Sequence, residues 1–463
     1  MNPYRRCLIV LLSVVGGGCA VGPDYRRPEA AAPVAFKEAW QSASPADAVS
    51  RGPWWEAYGD PVLTDLETSA ERSNQTIRQA EAQYRAAVAA VGGSRAALFP
   101  LLAASAGTTR SRSGSAQGGS AAVATTADHA SATVDWEIDL WGRLRRQLEA
   151  SRTTAEASAG DLAAARLSAE ATLAQDYTQL RALDVQRVLL ADTLAGYRRS
   201  LAITRNRYAA GVAASTDVTQ AQSQLASAEA QSADVEVQRA VLEHAIAILA
   251  GKSPEELSIA PAAHLPLLPA VPDVMPAMLL ERRPDVAAAE RRVAAANAAI
   301  GVARGAYFPT LSLAASGGYQ GPAWHDLFSA PARVWSVGPA LAATLFDGGA
   351  RRAQNLSAVA NYDGAVAAYR QTVLSALQAA EDALTTLRGL AIEEAAASRA
   401  SLAAHDTLRA TENQYRAGTV SYLNVVLAEG TVLSADTNLI NVQSRRVQAH
   451  VALLKAMGGS PAR

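Results

Sequence analysis

The sequence predicts a mainly α-helical chain with a β-barrel part. In this fold, tandem-duplicated long antiparallel coiled-coil helices form an α-barrel, and four membrane strands per chain contribute to a shared trimeric β-barrel of about 12 strands. Three observations predict it. Long alanine-rich stretches lack proline, which favours long helices. Segments of about 10 residues alternate apolar and polar residues, as strands that cross a membrane do. The order of these elements then recurs in the second half of the chain.

Composition limits the classes of function. The chain has 463 residues and a formal net charge of −1, and 49% of its residues are hydrophobic while only 5% are aromatic. Alanine supplies much of the apolar content, which favours close-packed helical seams over one bulky core. The near-neutral charge gives no case for a nucleic-acid partner. The two cysteines, Cys7 and Cys19, both lie in the first segment, so we expect no disulfide and no cysteine metal site in the body.

The first residues have the pattern of an export signal. A basic region is followed by an apolar run from Cys7 to Val15, which is too short to span a bilayer as a mature helix. Three glycines then precede Cys19, and small residues directly before a cysteine resemble a bacterial lipobox. We therefore predict a lipoprotein signal peptide at 1–18 and lipidation of Cys19. An ordinary secretory signal with an incidental cysteine is the alternative.

An extended, proline-rich lead at 19–58 precedes the first helix, and its adjacent tryptophans, Trp54 and Trp55, are expected to dock it onto the body. Asp60 is placed to cap a helix that has proline at its first position. This helix is expected to run to about Leu98, because the Phe-Pro pair that follows cannot continue it.

Two strands are predicted next. The first runs from Leu101 to about Ser113 and leads into a flexible loop at 114–119. The second lies within Ala130 to Arg146, where strict alternation places five apolar residues on one side and four polar residues on the other. The apolar set is Ala132, Val134, Trp136, Ile138 and Leu140, and the polar set is Thr133, Asp135, Glu137 and Asp139. The three acids Asp135, Glu137 and Asp139 could indicate a hydrolase. Because strand alternation places them together on one solvated face, they are interpreted instead as the lining of a lumen.

A long helical hairpin follows the second strand. Gly142 breaks the alternation at the junction, and residues 143–209 are helix-forming and free of proline. Gly211 is placed to end this helix. The residues able to cap the next helix are Ser215, Thr216 and Asp217. That helix is expected to reach about Gly251, so two long helices joined by a tight turn predict an antiparallel coiled-coil hairpin.

The same pattern then restarts. Ala80, Glu81, Gly92, Arg95, Phe99 and Pro100 recur as Ala289, Glu290, Gly301, Arg304, Phe308 and Pro309, a shift of 209 residues (289 − 80 = 209). Gly142, Arg145 and Arg146 recur as Gly348, Arg351 and Arg352, a shift of 206 (348 − 142 = 206), and Tyr208 and Gly211 recur as Tyr415 and Gly418, a shift of 207 (415 − 208 = 207). We predict a tandem duplication. Its parts are a first repeat at 59–251, a proline-rich linker at 252–283, a second repeat at 284–459 and a tail at 460–463.

The second repeat predicts strands at Thr310 to Tyr319 and Val334 to Phe346, with Gly348 and Gly349 at its junction from strand to helix. Four strands cannot close a barrel, and open sheet edges cannot lie in lipid. A barrel shared by three chains would have about 12 strands and an open lumen. A structural coiled-coil surface lipoprotein without a conduit is the alternative, and the duplicated strand pairs argue against it.

Several motifs resemble one family. They are C-A-V-G-P-D-Y at Cys19 to Tyr25, E-I-D-L-W-G-R at Glu137 to Arg143, R-R-P-D-V-A-A-A-E at Arg282 to Glu290, A-N-A-A-I-G-V-A-R-G-A-Y-F-P at Ala296 to Pro309, L-F-D-G-G at Leu345 to Gly349 and the two Y-x-A-G turns. Together they resemble TolC-like outer-membrane efflux proteins of the NodT-type lipoprotein branch. The resemblance implies a homotrimer in the outer membrane of a Gram-negative bacterium, anchored by lipid and extending into the periplasm. It also implies a duct for small molecules such as drugs, whose partners are a periplasmic adaptor protein and an inner-membrane transporter.

The resemblance also assigns a gate. It places the two helix-hairpin turns at the periplasmic tip, where they close the duct and dock the adaptor. The residues assigned to this tip are Arg205, Tyr208, Gly211, Asp217, Tyr415, Arg416, Gly418 and Asn424. The alternatives are that the two tyrosines pack within the turns and that Asp217 is a helix cap. Asn424 and Leu427 occupy positions where relatives often carry aspartate, so weaker cation selectivity is expected at the constriction.

Chemistry of other kinds is not expected. The six histidines show no metal-ligand spacing, and no nucleophile elbow, phosphate loop or dinucleotide fingerprint occurs. We therefore predict no enzyme, no cofactor and no metal. Protein export by a secretion system remains the alternative cargo. The sequence does not identify the exported substrate, because in such pumps an inner-membrane partner selects it.

Overall fold

The computed structural model describes residues 20–28, 52–112, 124–269 and 283–459. The helices are α1 (Pro61–Ser73), α2 (Gln75–Ala96), α3 (Arg143–Ala209), α4 (Ser215–Leu249), α5 (Pro284–Gly305), α6 (Ala350–Arg416) and α7 (Tyr422–Ala456). The strands are β1 (Leu101–Arg112), β2 (Ala124–Ile138), β3 (Thr310–Gly321) and β4 (Arg333–Ala342). Cys19, the signal peptide, the 114–119 loop and the tail lie outside the described residues, so their predictions stay predictions.

One helix was predicted from Asp60 to about Leu98, and this is wrong, because two helices, α1 and α2, occupy that stretch. Asp60 caps α1 as predicted, accepting from the backbone N–H of Val62 at 2.9 Å. Asn74, however, has extended backbone geometry and separates α1 from α2. Its side-chain oxygen accepts from the N–H of Thr76 and Ile77, and its amide nitrogen donates to the carbonyl of Leu249 at 2.8 Å. The break follows because Asn74 makes a tertiary hydrogen bond and caps α2 at the same time.

The four strands form one antiparallel sheet in the order β1-β2-β3-β4. One line of paired residues crosses it from Leu101 through Asp135 and Ala314 to Gly338. The register confirms the predicted apolar face, since Trp136 lies opposite Leu313 and Ile138 opposite Leu311. Leu140 and Asp139 were predicted to continue this strand, but they lie beyond its end.

The ends of two strands differ from prediction. β2 begins at Ala124, six residues before the predicted Ala130 (130 − 124 = 6), because β1 is long enough to pair with it as far as Arg112. β4 ends at Ala342 and not at Phe346. The position opposite residue 343 on β3 falls on Pro309, which has no N–H to donate to the ladder.

Two helical hairpins of equal size follow the strand pairs. α3 and α6 each have 67 residues, and α4 and α7 each have 35. From α3 onward the repeats are related by a constant shift of 207 residues (350 − 143 = 207). The shift of 206 that residue identity suggested at the junction is therefore wrong by one. Gly349, rather than Gly348, is the structural equivalent of Gly142.

The chain folds into two compact units, and each draws on both repeats. The first contains Gln83–Ala159 and Ala288–Arg370, including the whole sheet, and the second contains Gly160–Ala287 and Gln371–Arg463. Trp54 and Trp55 are 2% and 4% exposed in the core of the second unit, which confirms that they dock. No helix of the described residues is long and apolar enough to cross a membrane.

A buried ion cluster holds the start of the linker against the second unit. Asp184 is fully buried and bonds Arg181 at 2.9 Å and Arg239 at 2.7 Å. Both arginines also donate to linker carbonyls, those of Ala260 and Ile259. The carboxylate of Asp184 accepts the N–H of linker residue 262 at 3.1 Å. The cluster fixes the irregular segment because every charge in it has a partner.

Candidate functional site

The first junction from strand to helix is held by Asp139 and Glu137, two acidic residues of the alternating segment. Gly142 has φ +78°, and a Cβ atom there would lie 2.9 Å from the Cα of Ala20, so both geometry and space require glycine. Asp139 accepts the N–H of Leu144 and Arg145 at the start of α3 and pairs with the Arg145 guanidinium at 3.2 Å. Asp139 is therefore a helix cap and not, as predicted, part of a solvated strand face.

Glu137 is likewise tied to the helix. Its carboxylate lies 2.8 Å from the guanidinium of Arg143, and both side chains are about one-third exposed. Three acids were predicted to line a lumen together. Asp135 and Glu137 both lie within β2, but of these two only Asp135 makes no ion pair with another described residue. The acid cluster thus fixes the angle at which the strand passes into the helix.

The second junction also uses an aspartate–arginine pair, but two consecutive glycines precede its helix instead of one. Gly348 and Gly349 have φ +62° and +96°, and Asp347 pairs with Arg351 at 2.5 Å. The Arg351 guanidinium and the N–H of Gly349 hold the pKa of Asp347 at about 2. Leu345 and Phe346 in this junction are 94% and 88% exposed, so a large apolar surface has no cover from the described part of the single chain.

The first hairpin turn closes as predicted around Gly211, which has φ +75°. The N–H of Val212 donates to the carbonyl of Arg207 at 2.8 Å, which ends α3. None of the three predicted residues is the N-cap of α4, because Ala214 holds that position. Asp217 lies three residues later and accepts the N–H of Ala214 at 3.3 Å, as the acid of a capping box does.

The second turn has the same geometry. Gly418 has φ +75°, and the N–H of Thr419 donates to the carbonyl of Gln414 at 3.0 Å. Arg416 pairs with Glu412 of its own helix at 3.1 Å. The Asn424 amide donates to the hydroxyl of Ser421 at 3.3 Å, within the first turn of α7.

The contacts that join the helices at these turns differ from those predicted. Tyr415 is brought to the interface, where its ring lies 5.6 Å from that of Tyr422 and 4.7 Å from the guanidinium carbon of Arg207. The hydroxyl of buried Tyr422 lies 2.6 Å from that of Ser200 on α3. The predicted residues Asp217, Arg416 and Asn424 bond within their own helices, and Arg205 and Tyr208 are exposed.

Arg207, Tyr422 and Ser200 were therefore missed. A signal for two of them existed in the sequence. Arg207 directly precedes the first of the two Tyr-x-Ala-Gly turns, and Tyr422 occupies the position where the first repeat has Ser215. A tyrosine that breaks the repeat at the start of a helix indicates a contact that the other repeat lacks.

One carboxyl group near these turns titrates close to neutral pH. Glu429 lies on α7, and one of its side-chain oxygens is buried and makes no hydrogen bond within the described residues. Burial, together with the nearby charge of Glu412, raises the pKa of Glu429 to about 7. Tyr197 and Tyr422 are titratable groups that sense its charge. The cluster can therefore change charge in the physiological range.

Between α3, α4 and α7 lies a groove of about 680 Å³. Amide side chains dominate its lining, which includes Gln186, Gln238 and Asn441. Gln186 donates to Asn441 at 2.7 Å and links α3 to α7 at its floor. The lining also includes one acidic and one basic residue, Asp234 and Arg445, so the groove presents a polar surface with hydrogen-bond donors and acceptors. Among the residues that the structure describes, no cluster of histidine, cysteine or acidic side chains could hold a metal ion.

Comparisons with known proteins assign this architecture. The model of the family "Outer membrane efflux protein" matches the chain twice, at 66–252 and 275–459. The outer membrane protein OprJ of Pseudomonas aeruginosa is 31% identical over 97% of this chain and 95% of its own length. The toluene efflux pump outer membrane protein TtgC of Pseudomonas putida is 29% identical over 97% and 94%. The solved structure of the outer-membrane channel OprN superposes with a TM-score of 0.85 at 31% identity, covering 96% of this chain and 99% of that one.

The agreement extends from sequence motifs to the folded chain. The predicted resemblance, the fold class and the absence of an enzymatic activity are confirmed, since the family consists of channels. The family model covers most of the chain, and the similarity to OprJ spans nearly all of both proteins. The chain therefore belongs to the outer membrane efflux protein family, and it is an outer-membrane channel protein of efflux pumps.

Proposed function

We propose that three copies of this chain form the outer duct of a tripartite pump, which passively conducts small molecules from the periplasm to the exterior. One observation carries the proposal: the sheet has two strand edges, on β1 and β4, with no neighbour in the described part of the chain. Unpaired backbone groups are too costly to leave in lipid, so other copies must cover them. A periplasmic adaptor and an inner-membrane transporter are the proposed partners.

The cargo class rests on relatives. TtgC is named as part of a toluene efflux pump, ArpC as part of an antibiotic efflux pump and OpmQ as a pyoverdine exporter. These names support small molecules rather than folded proteins as the cargo of this chain. The coiled-coil scaffold without a conduit is not proposed, because it predicts no paired strands and four are present.

Native mass spectrometry of the detergent-solubilised protein tests the assembly. Three copies per particle are expected, with the strand content of the sheet retained in circular dichroism. A folded monomer with the same strand content would contradict the shared barrel, because its sheet edges would then be stable without partners.

The two hairpin turns are the proposed periplasmic gate. Their closure would be held by the contacts of Arg207, Tyr415, Tyr422 and Ser200, and Gly211 and Gly418 would give the turns their shape. Arg205, Tyr208, Asp217, Arg416 and Asn424 remain proposed as residues of the periplasmic gate and tip. A few contacts of about 0.5–1.5 kcal/mol each bias a two-state tip without locking it. An adaptor that binds the open form better would then shift the population.

Single-channel conductance in planar bilayers tests the gate. Arg207→Ala combined with Tyr415→Leu should raise conductance several-fold above wild type, since it removes both partners of the cation–π contact. Tyr415→Phe alone should change little, because the ring remains. Arg199→Ala, an exposed arginine of the same helix, is the matched control. If the double variant assembles as a trimer and conducts like wild type, these residues do not form the gate.

A further inference from the structure

The two faces of the four-stranded sheet differ in chemistry. On one face, hydroxyl side chains meet across strands, as Ser105 does with Ser131 at 3.1 Å and Ser316 with Ser336 at 2.8 Å. The opposite face is apolar along most of its length, and we call it the outer face. Its apolar residues include Val134, Trp136, Ile138, Leu313, Val337 and Leu341. In a membrane barrel the apolar face meets lipid and the polar face lines the lumen.

The apolar part of the outer face has the height of a membrane. On β2 it runs from Ile138 to Ala130, a difference of eight residues (138 − 130 = 8). At about 3.4 Å per residue this is about 27 Å along the strand, and a tilt of about 40° reduces its height to about 21 Å, close to the apolar band of outer-membrane barrels. Each strand joins its helix at the Ile138 end. In the proposed duct the helices extend into the periplasm, so the end beyond Ala130 lies at the outer leaflet.

Three arginines of the outer face lie at this end, which is remote from the helices. Arg333 lies opposite Tyr319 in the last row of the apolar band, and Arg110 and Arg112 lie beyond the band on β1. All three residues are exposed, and none makes an ion pair with another described residue. A long arginine side chain can follow apolar surface with its stem and place its charged group at the level of the lipid headgroups.

Aromatic rings accompany these arginines. The β3–β4 connection folds back onto the outer face, where the indole N–H of Trp324 donates to the hydroxyl of Thr108 at 2.8 Å. Thr108 precedes Arg110 by two residues, so both side chains lie on the same face of β1. On β3, opposite the third arginine, the ring of Tyr319 lies 5.3 Å from that of Phe328. Trp324 and Phe328 are 47% and 68% exposed, and half-exposed aromatic rings are typical of a membrane interface.

The acidic residues of this end offer little competition to the arginines. Asp128 also belongs to the outer face, but it is 3% exposed. The β3–β4 connection covers it, because Leu327 of that connection is fully buried close to Gly321, the partner of Asp128 on β3. The carboxylate of Asp326 lies 2.7 Å from the ring of its neighbour His325. In its described residues, this end therefore presents three exposed arginines and one exposed acid.

We propose that this basic and aromatic end of the outer face binds the phosphate groups of lipids in the outer leaflet. Arg110 and Arg112, about 7 Å apart on one strand, form one site beside Trp324. Arg333 forms a second site beside Tyr319. The guanidinium groups bind phosphate in a bidentate manner, and the rings pack against the apolar part of the same lipid. The inference rests on the proposed barrel and adds a lipid partner to it.

A lipid fits this surface better than an acidic protein does. The arginines lie directly above the apolar band, so a molecule bound to them meets cationic groups at one end and hydrocarbon-like surface at the other. Clusters of basic residues next to membrane-embedded surfaces attract anionic headgroups in the same way. Three strand spacings, about 14 Å in all, separate β1 from β4. Each of the two sites is therefore expected to hold its own phosphate.

Native mass spectrometry with added lipid A that carries two phosphates tests the sites. Wild type should bind two lipid molecules per chain. Arg110→Gln with Arg112→Gln should remove one of them and Arg333→Gln the other, and the triple variant should bind both more than about tenfold more weakly. Lysine at all three positions should restore part of the affinity, because it keeps the charge and loses the bidentate fork.

A second triple variant is the matched control. Arg85→Gln, Arg152→Gln and Arg199→Gln together remove the same charge from three exposed arginines of the helices, and this variant should bind like wild type. Wild type should also bind fully dephosphorylated lipid A more than about tenfold more weakly than the phosphorylated form. Excess inorganic phosphate should not displace the lipid, because it makes no contact with the apolar band.

The outcomes separate the lipid sites from the proposed barrel. Equal binding by wild type and the glutamine variants, all present as three copies, would overturn the sites, and so would equal binding of phosphorylated and dephosphorylated lipid. Displacement by inorganic phosphate would replace a lipid site by a free-anion site and would overturn the proposal too. One copy per particle before lipid is added would instead contradict the shared barrel.

Discussion

At the scale of single residues, this chain uses ionisable groups to join elements rather than to do chemistry. Asp139 and Asp347 fix the two junctions, and Asp184 fixes the linker. Each carboxylate bonds an arginine and at least one backbone N–H group, and such charge-assisted hydrogen bonds are stronger than neutral ones. A channel protein has no transition state to stabilise, so its charged residues are free to serve the geometry of the duct.

The Asp184 cluster gives a stability prediction. Asp184→Asn removes the carboxylate that bonds Arg181 and Arg239, and it leaves Arg181 as a buried charge without that partner, while Arg239 keeps its pair with Glu243 at 2.7 Å. We expect a loss of about 3–5 kcal/mol, because breaking a buried pair leaves its partner uncompensated. Thermal unfolding of the detergent-solubilised protein measures this. Glu229→Gln, in the half-exposed pair with Arg198, is the control and should cost about 0–1 kcal/mol. Equal losses in the two variants would contradict the role of the cluster.

Glu429 gives a pH prediction. Its pKa in the folded chain is about 7, above the ordinary value of 4.5. A raised carboxyl pKa means that folding favours the protonated form, so its contribution to stability is complete below pH 4.5 and is lost as pH rises through 7. Hairpin stability should therefore fall between about pH 4.5 and 7, as hydrogen exchange near the turns would measure. Glu429→Gln should flatten this dependence, and an unchanged pH profile in that variant would show that another group titrates.

At the scale of elements, the two repeats share one order of helices and strands but differ in local structure. The paired long helices have equal lengths in both repeats, and both turns use a left-handed glycine. The first helix of the plan is divided at Asn74 in the first repeat, and the described part of its counterpart in the second repeat is α5. Long helices tolerate no insertion without rotating one face away from its partner, so length variation is confined to loops.

Glycine substitutions separate turn geometry from helix propensity. Gly211→Ala should destabilise the first hairpin by about 1–2 kcal/mol, since alanine is strained at φ +75°. Gly389→Ala should stabilise α6 by about 0.5–1 kcal/mol, because that glycine is helical and has open space around its Cβ position. Thermal unfolding measured side by side checks the opposite signs. An unchanged or higher melting temperature in Gly211→Ala would show that the turn does not depend on left-handed geometry, and a lower one in Gly389→Ala would contradict the helix-propensity prediction.

At the scale of the whole molecule, a single chain leaves sheet edges and apolar side chains without cover. In the described part of the chain the sheet has two uncovered edges, and large apolar side chains such as Trp335 and Phe346 are 75% and 88% exposed. A soluble monomer rarely exposes so much contiguous apolar surface. Lipid and neighbouring copies are the two environments that the proposed assembly offers to these surfaces.

The lipid anchor is predicted at this scale. Mass spectrometry of the mature protein should find an acylated N-terminus at Cys19. Cys19→Ser should remove the lipid mass yet leave the protein in the outer-membrane fraction, because a shared barrel holds it far more strongly than acyl chains do. An unmodified mature chain that starts at another residue would refute the anchor. Loss of the serine variant from the membrane would show that the barrel alone does not retain the protein.

The sequence by itself determined the repeat, the long helices, the strand faces and the turn glycines. These features are local or periodic, since alternation, proline-free runs and left-handed positions are written in neighbouring residues. The docking of Trp54 and Trp55 could also be predicted, because two large adjacent apolar side chains at the end of a proline-rich segment need cover from the body. Motifs spread along the chain then sufficed for the family.

Only the tertiary structure decided which side chains meet. It divided the first helix at Asn74 through a bond to Leu249, which lies 175 residues away. It turned Asp139 from a strand residue into a cap, because the strand ends at Ile138. At the turns it replaced Asp217 and Arg416 by Arg207 and Tyr422 as the residues that join helices. These outcomes depend on the rotation of one long helix against another, which no local pattern specifies, because each turn of helix offers several side chains to the same neighbour.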